Sequence, residues 1–108
     1  MKAARRVRFE VRVLRGATAE TLSFDDSLPH GKPLPKVGEL AGPMRTLIGW
    51  RSVTAVEPAP AQWGVGAVVH LEPIDCSRRE RDFDEEVAAL RKAGWEKVIN
   101  GRARRGRA

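Results

Sequence analysis

The side chains of this chain that are numerous and clustered enough to do chemistry are arginines, and the chemistry they suit is the neutralisation of phosphate. Arginine supplies 15 of the 20 cations, and they gather at the two ends. Residues 1–16 hold Lys2, Arg5, Arg6, Arg8, Arg12 and Arg15 against Glu10, a net of +5. Residues 99–108 hold Arg102, Arg104, Arg105 and Arg107 against no acid, and since the whole chain carries +6, the body between must net −3. Positive charge clustered on a mildly acidic body attracts polyanions better than the same charge scattered. A guanidinium matches a phosphate bidentately, and each phosphate neutralised releases a counterion, which makes the binding salt-dependent. The segment 101–108 therefore reads as a phosphate-tracking arm, with a solvated tail as its plain alternative.

Aromatic groups add little. Trp50 and Trp95 lie in or beside regular elements and are expected in the core. Trp63, between Pro60 and Gly64, is the one candidate for stacking on a base or anchoring a protein interface, although folding back over the open end of the barrel is the commoner fate of such a residue. The chain has no Tyr and no aromatic pair on a strand of the kind that reads single-stranded RNA.

Catalytic groupings are poor. His30 and His70 are the only histidines, and His70 sits between Val69 and Leu71 as a structural strand residue would. His70, Asp75 and Cys76 have the types of a thiol site, but no spacing joins them. One Cys and two His make no zinc pattern. Asp82, Asp84, Glu85 and Glu86 read as a solvated helix face, and Gly64-Val65-Gly66 lacks the third glycine of a dinucleotide loop. No cofactor or metal is expected, and the chain is expected not to be an enzyme.

The elements that must position these groups follow from periodicity. Val7, Phe9, Val11 and Val13 alternate with Arg8, Glu10, Arg12 and Leu14, the pattern of a strand with one buried face. That places Arg6, Arg8 and Arg12 together on its outer face. A turn at Gly16 leads to a second alternating run, so residues 5–24 read as a β-hairpin. Residues 25–35 hold three prolines, one glycine and two aspartates and read as a connector, a binding loop or a plain crossover. Short strands are expected near 37–40, across 47–57 with a bulge near Gly49 or Arg51, and across 65–72. Ser77-Arg78-Arg79-Glu80 matches a capping box opening a helix. Phe83, Val87 and Leu90 form its apolar stripe and Gly94 its stop. Val98 and Ile99 suit one more short strand.

Together these predict one α+β domain over residues 1–100: a curved, mainly antiparallel sheet of about five strands, an SH3- or OB-like roll or open barrel, under one C-terminal helix. Residues 101–108 are expected as a flexible basic tail. No apolar run approaches the roughly 20 residues of a membrane span, and a lone cysteine fits a reducing cytoplasm. The expected function is a small nucleic-acid-binding module using Arg6, Arg8, Arg12, Trp63, Arg102, Arg104, Arg105 and Arg107. The alternative is a protein-interaction or assembly module that binds an acidic partner or itself through edge strands or the helix.

Overall fold

The computed structural model describes residues 5–29, 31–78, 82–99 and 102–103. Two long strands, β1 (Arg5–Arg15) and β2 (Thr18–Leu28), form the hairpin, in unbroken register from Arg5 opposite Leu28 to Arg15 opposite Thr18. Gly16 turns the two-residue loop at φ +57°, which an L side chain resists. Beyond the hairpin come β3 (Leu40–Ala41), β4 (Arg51–Pro58), a single 3₁₀ turn at Ala61–Trp63, β5 (Ala67–Leu71), β6 (Ile74–Asp75), helix α1 (Phe83–Lys92), β7 (Glu96–Ile99) and β8 (Arg102–Ala103). The sheet runs β3-β4-β5-β1-β2-β7-β8, with β6 beside β1. Five strands have four or more residues, and β3, β6 and β8 are two-residue pairings.

The fold is α+β, and the sheet is open and not closed into a barrel; among the described residues five strand pairings are antiparallel as expected, and two are parallel, which makes the sheet mixed. β1 pairs antiparallel with β2 and parallel with both β5 and β6. The cause is the long crossover at residues 29–50. It carries the chain from one side of β1 to the far edge, so the β4–β5 pair returns with β5 beside β1 and pointing the same way.

One face of the sheet is dry. Val7, Phe9, Val11 and Val13 are at most 2% exposed and meet Leu22, Phe24, Val69, Leu71, Phe83, Leu90 and Trp95. Burying each such side chain stabilises the fold by roughly 1.5–3 kcal/mol. The imperfect alternation of β4 is resolved by a register shift between Val53 and Ala55, slightly later than the bulge expected. The helix begins at the side chain of Asp82, whose Oδ1 accepts the Glu85 N–H at 2.9 Å, and not at Ser77. Ser77 instead accepts the Gly16 N–H at 3.1 Å and ties the hairpin loop down. At the other end Trp95 N–H donates to Leu90 O and Gly94 N–H to Arg91 O, a Schellman cap with Gly94 at φ +110°. A side chain at Gly94 would meet the Phe24 ring at 2.9 Å.

Two expectations about loops change. β2 continues through Asp25, Asp26, Ser27 and Leu28, because each aspartate finds partners that offset its poor strand propensity. The C-terminal segment is not all tail, since Arg102 and Ala103 pair with Ile99 and Val98.

Candidate nucleic-acid interface

The β1 arginines do not act as a set. Arg6 and Arg12 are exposed, but Arg8 is only 5% exposed. It lies directly across from Asp25 on β2, and its Nε and Nη2 donate to the two carboxylate oxygens at 2.6 and 3.0 Å. This fork geometry is the strong form of the pair, and it removes Arg8's charge from the surface. The 3₁₀ turn brings Trp63 over the guanidinium, 4.8 Å from ring centroid to Cζ. Trp63 is therefore half-buried and already stacked, on a protein cation and not on a base.

The same sheet face carries a second consumed cluster. His70 on β5 is opposite Glu10 on β1, with Nδ1 3.6 Å from Oε1. Its Nε2 lies 3.5 Å from Glu57 Oε2 and is buried without a hydrogen bond among the described residues. Burial pushes the Glu10 carboxyl above its ordinary 4.5. His70 and Arg8 oppose that rise and Glu57 adds to it.

With these pairs made, the free positive charge stands at the ends of β1. Arg5, Arg6 and Arg12 are exposed and make no ion pair among the described residues. Arg15 is exposed and covers the Phe83 ring at 4.9 Å. Arg6 and Arg12 are six residues apart on one strand, about 20 Å. The backbone of β8 starts close to level with Val13, three strand spacings from β1. Arg104, Arg105 and Arg107 lie outside the described residues, as does His30. Arg5 and Arg15 belong with the exposed set, although the alternation of β1 alone gives no reason to select them.

The thiol grouping does not assemble. His70 is level with Glu10, whereas Cys76 N–H donates to Leu14 O, four residues further along β1 and roughly 13 Å away. Cys76 is buried, in no disulfide, and well short of the helix start. Asp75 spends its carboxylate on hydrogen bonds from Ser77, which hold it below the usual range. No group of three or more metal-ligating side chains occurs among the described residues. Among the same residues no helix is long and apolar enough to cross a membrane.

What the arrangement can do is hold anions at separated points along one strand, with Arg8 between them neutralised by Asp25. Comparison with known protein families, with characterised proteins and with solved structures finds no match to this chain.

Proposed function

We propose that the protein is a small, non-enzymatic module that binds nucleic acid through phosphates, using Arg5, Arg6 and Arg12 with the arginine-rich C-terminal segment. The observation that carries this reading is the sorting of charge on the sheet. Asp25 is engaged by the buried Arg8, so this pair cancels within the sheet, while Arg6 and Arg12 stay exposed on either side of it. Arg8 and Trp63 lie on the same face, stacked on each other, and are left out of the proposed phosphate contacts. Binding of this kind positions a polyanion without reading its sequence.

The test is fluorescence anisotropy of the full chain with single- and double-stranded DNA and RNA at low and physiological salt. Alongside it go an Arg5→Ala/Arg6→Ala/Arg12→Ala variant and a chain ending at residue 100. The reading expects affinity to fall at least tenfold in each variant. On duplex DNA the slope of log affinity against log salt should flatten by about 0.9 for each phosphate that is no longer neutralised. Equal binding by all three proteins at physiological salt would sink it.

A further inference from the structure

Residues 37–48 invert the usual polarity of a surface loop. The large apolar side chains that stand exposed among the described residues are Val37, Leu40, Met44, Leu47 and Ile48, at 66, 67, 55, 85 and 47% exposure, and all five fall in this one stretch. Hydrogen bonds tie the backbone of the loop inward. Trp50 Nε1 donates to the carbonyls of Pro43 and Thr46, both at 2.8 Å. Asp26 Oδ2 accepts the Met44 N–H at 2.7 Å, Arg45 Nη2 donates to Asp25 O at 2.7 Å, and Trp95 Nε1 donates to Ile48 O at 3.0 Å. Gly42 and Gly49 each lie so close to an indole that an added Cβ would sit 2.5 Å from it. The loop is thus fixed with its apolar side chains outside, and Leu40 and Met44 form the lip of a groove of about 320 Å³ floored by Phe9, Leu34 and Trp50. An apolar groove with exposed Leu40 and Met44 at its lip, on a pre-organised frame, marks a docking site.

Charge selects the occupant. Residues 31–51 hold Lys32, Lys36, Arg45 and Arg51 against Glu39 alone, a net of +3. Arg45 pairs with Asp26 and Arg51 with Glu72, whereas Lys32 and Lys36 border the groove, exposed, with no ion pair among the described residues. We propose that this groove binds a short segment of another protein in which large apolar residues are flanked by Asp or Glu. The apolar side chains fill the groove and the carboxylates meet Lys32 and Lys36. With Arg45 and Arg51 paired, Lys32 and Lys36 against Glu39 leave the groove a net of +1, so a second copy fits poorly: its groove repeats the same positive charge, and the other described surfaces expose no large apolar residue to enter it. A lipid surface has no knob to enter a concave groove. Edge pairing along β3 offers only two residues, so side-chain insertion is the recognition mode.

The experiment selects from a random twelve-residue peptide library displayed on phage against the immobilised full chain, then measures synthetic versions of the enriched peptides by anisotropy. Enriched peptides are expected to combine two or more large apolar residues with net negative charge. Their affinity should fall tenfold or more in Leu40→Ser and in Met44→Ser, and severalfold in Lys32→Glu/Lys36→Glu. Thermal melts and oligonucleotide affinity should not change in the two serine variants, which separates this site from the arginine surface. Any of four results would overturn the proposal. These are no enrichment, enriched peptides without acids, peptides indifferent to the three variants, or the same variants abolishing instead a dimer seen by sedimentation or binding to phosphatidylserine vesicles.

Discussion

The outer face of the sheet and the loop over residues 37–48 handle their side chains in opposite ways. On the sheet, groups that ordinarily seek water are turned on one another: Arg8 on Asp25 under Trp63, and His70 between two glutamates. On the loop, groups that ordinarily avoid water are held in it by hydrogen bonds made underneath. Residue type alone therefore misjudges both regions. What decides exposure is whether a partner of the right geometry is within reach, and here the charged strand has one and the apolar loop does not.

Four single substitutions and one double variant probe the two regions and the core between them. Asp25→Ala leaves Arg8 charged and buried, and should cost about 3–5 kcal/mol in urea denaturation. Replacing both partners, Arg8→Met with Asp25→Leu, should recover most of it, and equal loss in the single and double variants would mean that the pair is not the cause. Leu90→Ala, at a site 1% exposed, should cost about 2–5 kcal/mol through the cavity it opens. Glu10→Gln tests the second cluster by pH. Because folding raises the Glu10 pKa, the folded state holds that proton more readily than the unfolded chain, and its contribution to stability falls as pH rises above 4.5. The Gln variant should therefore melt higher than the parent at pH 7, and the difference should fade by pH 4. A lower melting temperature at pH 7 would instead make the carboxylate's attraction to His70 and Arg8 dominant. Smallest is Leu47→Ser, at a leucine 85% exposed, where stability should stay within about 0.5 kcal/mol of the parent.

Local patterns are legible in the sequence. The alternation of Val7 to Val13 locates β1 and its buried face, and Phe83, Val87 and Leu90 with Gly94 locate the helix and its end. Features whose cause lies far along the chain are not. Arg8 is buried because of Asp25, 17 residues away in a stretch whose two aspartates resemble a connector. The parallel partner of β1 arrives 60 residues later, and no local period encodes it. Leu47 and Ile48 read as the start of a strand because apolar and β-branched residues usually are. Only the tryptophan hydrogen bonds, made to backbone carbonyls, turn that segment outward. For the candidate interface, Arg6 and Arg12 are legible as an exposed pair, while the mutual stacking that takes Arg8 and Trp63 out of it is not.

The parallel pairing of β1 also sets an order on the ribosome. β1 emerges before β2 and finds it at once, yet its other edge stays open until residues 67–75 have been made. At about 5–20 residues per second that wait lasts several seconds, long enough for an unpaired edge to meet a neighbouring nascent chain. The arginine–glutamate alternation along β1 spaces like and unlike charges down that waiting edge, which opposes strand addition by an uncharged stranger. Once β5 arrives, Arg8 and Glu10 come to lie within its register, while Arg6 and Arg12 stay exposed.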